Sequence, residues 1–262
     1  MDLGLAGRTY IVTGGSAGIG LATVELLVQE GANVVACART ADMLTAALEG
    51  ADPSGTQTLG VALDVATDGA TEQLVTAARE RFGRIDGIVN NVGTAMRAPL
   101  AELDSEVWNQ DLNQKFFAAL SLVQAVHDEM RERGNGAVVN VLSIAAKEAS
   151  GGSMPTSVTR AAGLSMTKVL SKELGPDGIR VNAICVGTVK SAQNDRKWQA
   201  QAPELDRDTW YQQDAERRGN IPLGRIGEPS EAAAVIGMLL SDVAGYTTGV
   251  AVNVDGGRSG AT

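Results

Sequence analysis

Proline, aromatic residues, cysteine and histidine are all scarce in this chain, and each shortage closes off a class of protein. With 7 prolines in 262 residues and 44% hydrophobic residues, there is no composition for a disordered tract and enough apolar material for a large core. A single α/β domain over residues 1–262 is the economical reading. One histidine and two cysteines supply no metal-ligand cluster. Cys37 and Cys185 each lie inside an apolar, strand-like run, where buried thiols are the default, and this suits a reduced, intracellular protein. His127 falls late in a long helical pattern on a polar flank and reads as solvated.

Positive charge is also short. The net charge is −9 and no Lys/Arg run exceeds two, so the electrostatic footprint of a nucleic-acid or anionic-membrane partner is missing. No apolar run reaches about 18 residues, and the start MDLGLAGRTY has neither a positive n-region nor an apolar h-region. A cytoplasmic chain acting on a small molecule is the expectation.

What the sequence does hold is a glycine-rich stretch, TGGSAGIG at 13–20, between the apolar run Tyr10-Ile11-Val12 and an apolar-periodic segment through Leu21, Val24, Leu27 and Val28. A strand that turns through glycines into a helix is a phosphate cradle. Gly14, Gly18 and Gly20 permit a tight turn and close backbone approach, while helix N-terminal N–H groups face an anion. The spacing G-x-x-x-G-x-G meets the dinucleotide fingerprint only in part.

Further along, strand-like runs at 33–37, 58–63, 86–90, 137–142, 180–185 and 250–254 alternate with helical patterns, the longest within Asp104 to Arg133. Short apolar strands separated by helices call for a doubly wound parallel sheet covered by helices on both faces. Ligands of such folds lie beyond the carboxyl ends of the strands, where Asp64, Asn90, Asn91, Ser143 and Gly187 stand here.

TGGSAGIG, NNVG at 90–93, VVNVLS ending at Ser143, ICVGTVKS around Gly187, RIGEPSE at 225–231 and GYTTGVAVNVDGG at 245–257 together resemble the landmarks of the short-chain dehydrogenase/reductase family. They run in order over nearly the whole chain, with Val92 in place of the usual Ala and Val186 in place of the usual Pro. The resemblance implies a Rossmann-type fold, a nicotinamide cofactor and a homotetramer. It also assigns cofactor contacts to Gly14, Ser16, Gly18, Ile19, Gly20, Arg39, Asp64, Val65, Asn91, Gly93, Arg160, Gly187 and Val189. NAD-preferring members carry a carboxylate at the end of the second strand. Ala38 followed by Arg39 instead suits a 2′-phosphate, favouring NADP(H) over NAD(H). Asp64 also reads as a simple helix N-cap before Ala66 and Thr67.

The family's catalytic set is where this chain departs. Ser143 matches the serine that holds the substrate oxygen. The tyrosine position is Thr156, the lysine position four residues later is Arg160, and the asparagine position, seven after Trp108, is Lys115. An aliphatic hydroxyl is a far weaker acid than a phenol of pKa about 10, and arginine holds its proton near neutrality, so Thr156 and Arg160 do not form the usual relay. Arg160 still donates to cofactor ribose hydroxyls. Lys115, desolvated beside Arg160, is a substitute acid; its alternative reading is a partly exposed lysine paired with Asp111, one turn earlier. Glu148 could neutralise one of the two cations. Tyr211 is an outside candidate within the lid-like segment 191–220, whose Trp198, Trp210 and Tyr211 either face a substrate or seal the segment against the body. SGGS at 150–153 loosens the loop before Pro155, and Ala161-Ala162-Gly163 offers a small-residue face for packing between subunits. Two functions fit: a ketoacyl-reductase-like oxidoreductase on a carbonyl, an alcohol or an activated C=C bond, or a cofactor-binding relative without turnover.

Overall fold

The computed structural model describes residues 2–261 and folds around one seven-stranded, all-parallel sheet in the order β3-β2-β1-β4-β5-β6-β7. Its first strand, β1 (Thr9–Thr13), reads TYIVT, is wholly buried and lies centrally; β-branched and aromatic residues suit a strand covered on both faces. β1 pairs with β2 (Asn33–Ala38) on one side and β4 (Gly87–Asn90) on the other, so the strand order reverses there and opens a crevice at the carboxyl ends. β3 (Thr58–Ala62), β5 (Gly136–Ser143), β6 (Ile179–Val186) and β7 (Ala251–Val254) complete the sheet. Each expected strand is present, with bounds shifted by one residue or so.

Helices cover both faces. On one, α1 (Gly18–Gln29), α2 (Ala41–Ala51) and α9 (Pro229–Leu240) bury Val24, Leu27, Leu44, Ile236 and Leu239 against β1, β2 and β5. On the other, α3 (Ala70–Phe82) and α5 (Ala118–Arg133) bury Leu74, Val75, Leu122 and Val126, and α6 (Thr156–Glu173) lies over β5 and β6. Local chemistry fixes the ends. Pro229 opens α9 behind a Glu228/Glu231 capping box, and Gly134 (φ +65°) closes α5 in the left-handed region.

Three expectations need correction. The helical pattern at 104–133 is not one regular helix: α4 (Ser105–Leu112) passes through a π turn at Asn113–Phe117 before α5, because an extra residue enters the hydrogen-bond ladder. The segment 191–220 contains two helices, α7 (Ala192–Gln201) and α8 (Arg207–Arg218), whose polar composition hid their periodicity. Asp64 caps no helix, since α3 starts after Gly69; its Oδ1 accepts the Ala66 N–H at 3.0 Å within a turn. No helix of the described residues is long and apolar enough to cross a membrane.

Candidate active site

The glycine turn is pinned to β2 by its own backbone: the N–H groups of Gly14 and Gly15 both donate to the Cys37 carbonyl, at 2.8 and 3.0 Å. Gly14 has φ +70°, which glycine adopts without strain. From the far side of the switch point, Asn91 Nδ2 donates to the Thr13 and Gly14 carbonyls at 3.0 and 3.2 Å, and Thr13 Oγ1 accepts from the backbone N–H of Asn91 at 2.9 Å. Asn91 is therefore a strut of the turn. No side chain caps α1, which leaves the N–H groups of its first turn available to a phosphate, and a Cβ on Gly18 would meet nothing within 4 Å.

These residues border a cleft of about 1180 Å³ that runs across the strand ends. Ser16, Gly18, Ile19, Arg39, Asp64, Val65, Gly93, Arg160, Gly187 and Val189 line it together with Gly14, Asn91, Ser143 and Thr156. Gly20 and Lys115 do not. Gly20 is buried, and a Cβ there would run into the Gly14 carbonyl, so its smallness lets α1 pack on the turn. Gly187 likewise abuts Asp255, where an added Cβ would lie 2.7 Å from that residue's Cβ. An uncapped helix end behind a glycine turn, with Arg39 and the unused side chain of Thr40 at the end of β2, fits a phosphorylated dinucleotide. Thr40 gives no signal of this in the sequence because a residue before a helix reads as a cap.

Lys115 lies beneath the cleft floor. Its side chain is 1% exposed and that of Asp111 is 0% exposed, and the two form an i,i+4 ion pair from the π turn back to α4. The partly exposed pair expected from spacing is thus a buried one. Lys115 Nζ also donates to Thr156 Oγ1 at 3.0 Å. Burial pushes the ammonium down to about 8; the Asp111 hydrogen bond opposes this and the nearby Arg160 charge adds to it. Arg160 is buried as well, with Nη1 donating to the Val141 carbonyl at 2.8 Å, and desolvation lowers its pKa while Asp111 offsets part of that.

Thr156 is more constrained than its position suggested. Its hydroxyl accepts from Lys115 and from the Met96 N–H at 2.9 Å, and donates to the Met96 carbonyl at 2.7 Å. One donor and two lone pairs are thereby all engaged. The Met96 strap, held further by the Ala98 N–H on the Met154 carbonyl at 3.0 Å, left no sequence signal. Ser143 is freer: Oγ accepts the Ala145 N–H at 3.1 Å and keeps its proton for a ligand.

Other candidates lie elsewhere. Tyr211 is buried, donates to Asp195 Oδ1 at 2.8 Å, accepts from the Ser191 N–H at 3.3 Å and is pushed up to about 12 by burial. With Trp210, Ile221 and partly buried Trp198 it seals α7 and α8 together, and none of the three aromatics lines the cleft. Glu148 borders the cleft, but its Oε2 accepts from Ser259 Oγ at 3.0 Å and the Gly260 N–H at 3.3 Å instead of meeting Arg160 or Lys115. His127 is half-buried beside Asp177, 3.0 Å away, and not simply solvated. Gly163 faces inward onto Leu142, which breaks up the small-residue face.

Comparison with known proteins agrees with this geometry. A family model described as enoyl-(acyl carrier protein) reductase matches residues 14–259. The 3-oxoacyl-[acyl-carrier-protein] reductase FabG of Thermotoga maritima is 32% identical over 253 residues, covering 97% of this chain and 98% of the relative. Among solved structures, the NADPH-bound short-chain oxidoreductase of Pseudomonas aeruginosa PAO1 containing an atypical catalytic center is 35% identical with a TM-score of 0.90, over 97% of this chain and 98% of that one. L-Sorbose reductase from Gluconobacter frateurii, complexed with NADPH and L-sorbose, superposes with a TM-score of 0.92 at 33% identity over the full length of both chains. Through this breadth of match in sequence and fold, the chain belongs to the short-chain dehydrogenase/reductase family of oxidoreductases.

Proposed function

We propose that this protein is an NADP(H)-dependent carbonyl reductase, or the reverse alcohol dehydrogenase, in which Lys115 acting through Thr156 replaces the family's tyrosine. The single observation that carries the reading is the hydrogen bond from a buried, acidified ammonium to a hydroxyl that lines the cleft. The bound dinucleotide supplies the hydride. Ser143 Oγ–H holds the carbonyl oxygen, where negative charge grows. Thr156 turns its proton from the Met96 carbonyl to that oxygen and takes one from Lys115 Nζ, so an ammonium of pKa about 8 serves as acid through a hydroxyl. Asp111 holds Lys115 in place through their buried ion pair. Arg160, fixed on the Val141 carbonyl, donates to the cofactor ribose, and Arg39 with Thr40 takes the 2′-phosphate.

Relatives and neighbours named as reductases or oxidoreductases, two of them bound to NADPH, favour turnover over an inactive scaffold. The Pseudomonas neighbour contains an atypical catalytic center, in keeping with a member that departs from the usual set. A lid role for 191–220 is supported by α7 bordering the cleft, and a homotetramer by exposed Phe117, Val158 and Val169 on α6 and the π turn. The test combines NADPH and NADH titration with a turnover screen over ketones, β-ketoacyl thioesters and enoyl thioesters. NADPH should bind more tightly than NADH, and Lys115→Met should keep NADPH affinity while losing about 10² to 10⁴ in kcat. Intact turnover in Lys115→Met removes the mechanism; binding without hydride transfer to any acceptor removes the enzyme.

A further inference from the structure

We propose that the substrate carries an anionic group, a carboxylate or phosphate, set away from its reacting carbonyl and bound by Arg97, Arg196, Lys197 and Arg258. The inference rests on the carbonyl-reduction reading only for which end of the substrate meets Ser143. The chain as a whole is acidic at −9, yet the cleft is lined by eight of its 22 basic residues and only two of its 31 acidic ones. A cleft of one sign within low-dielectric walls concentrates the opposite charge.

Four of the eight have a partner or a task. Lys190 is paired with Asp208 and Glu228, and Arg218 with Asp214. Arg39 stands at the adenosine end and Arg160 in the floor. Four remain, supplied by the Met96 strap, by α7 and by the segment after β7. Arg97 follows Met96, the residue whose backbone clasps Thr156, and bridges to Pro155 at the start of α6. Arg196 and Lys197 come from α7, and Arg258 donates to the neutral Thr188 Oγ1 at 3.1 Å beside the Gly187 turn. Among the described residues none of the four meets a carboxylate within ion-pair distance. Glu148, one of the two acidic residues in the cleft, is committed to Ser259 and Gly260. Cofactor phosphates have their own cradle at the uncapped end of α1, so these cations are left for something else in the cleft. Cations that share one cleft without carboxylate partners offer an anionic ligand charge-assisted hydrogen bonds.

The test uses the full chain saturated with NADP(H). Oxo acids from acetoacetate to 6-oxoheptanoate are each compared with their methyl esters, and acetoacetyl-CoA with the uncharged N-acetylcysteamine thioester. Binding is read by calorimetry and kcat/KM by NADPH consumption. At least one acid, or the CoA ester, should be favoured about tenfold or more over its neutral partner, with the advantage shrinking as ionic strength rises. An advantage confined to oxo acids marks a carboxylate, one confined to the CoA ester a phosphate. Arg97→Gln and the Arg196→Gln/Lys197→Gln pair should erase the preference while NADPH affinity and melting temperature hold. No preference for any anion, or variants that weaken NADPH binding and leave the preference untouched, would overturn the proposal. Anion binding without turnover leaves it standing and sinks the reductase reading instead.

Discussion

The two ends of the cleft are built from different materials. At the nucleotide end, shape is set by backbone and by missing side chains: a glycine turn hung from Cys37, a helix with no cap, an asparagine spent on carbonyls. At the catalytic end the geometry is made of side chains, with Lys115, Asp111, Thr156 and Arg160 buried in mutual contact or close by. Backbone recognition admits few substitutions, because a Cβ would collide at Gly15 and Gly20 and the φ of +56° at Gly18 favours glycine. In the proposed mechanism proton chemistry is more portable, since a buried ammonium behind a hydroxyl takes the part that the family resemblance gives to a phenol.

The largest effect should come from breaking the nucleotide end at a residue that touches no ligand. In Gly20→Ala the new Cβ meets the Gly14 carbonyl and lies 2.6 Å from Asn91 Nδ2, and both are backbone or fixed struts. Overpacking of this kind costs about 1–3 kcal/mol in stability. The turn must also shift, and NADPH affinity should fall by about a hundredfold, since a displacement of about 1 Å undoes close contacts of this kind. Fluorescence titration checks it. Wild-type affinity in Gly20→Ala would show that the turn is not a rigid cradle.

A smaller effect sharpens the catalytic end. Lys115 drops from the ordinary 10.5 to about 8, so the reduction rate should be flat below pH 8 and fall above it, while alcohol oxidation rises through the same pH. Stability moves with pH in the same sense as for a salt-bridged acid, since both pKa values are lowered on folding, but here the folded charge is a penalty and not a gain. Between pH 8 and 10.5 the unfolded chain binds more protons at this residue than the folded one, so its penalty is complete below 8 and stability recovers as pH climbs. Asp111→Asn removes the carboxylate charge that holds the ammonium up and leaves burial and Arg160 in place, so the rate inflection should move below 8. An inflection that stays put, or moves upward, would detach Lys115 from the chemistry.

How much of this was legible in the residues follows the same division. Strands such as TYIVT and helices such as the Val24, Leu27 face announce themselves by periodicity, because burial against a sheet demands it. The glycine turn is readable because only glycine allows the approach. By contrast, Thr156 was visible as a position and its hydroxyl partners were not, because Met96 reaches it through a loop with no pattern. The inward turn of Lys115 depends on a π turn, which leaves the spacing of apolar residues almost unchanged. α7 and α8 were invisible for another reason: apart from Trp210 and Tyr211 they bury little, and their ends are held by Ser191 and Asp206 caps.

Tyr211 provides the smallest and most discriminating test of the division. It is one of three tyrosines in the chain, and the proposed replacement of a phenol at position 156 invites the idea that another tyrosine has taken over. The structure commits its hydroxyl to Asp195 and Ser191, Tyr211 itself does not line the cleft, and burial works against its ionising. Tyr211→Phe keeps the ring that packs edge-on against Trp210 and deletes only those hydrogen bonds. The loss should be about 1 kcal/mol, seen as a melting temperature lower by about 2–4 °C, with kcat unchanged and the pH inflection still near 8. A hundredfold fall in kcat at unchanged stability would place the acid in α8, and the division between a backbone-built cofactor end and a Lys115-based catalytic end would no longer describe this enzyme.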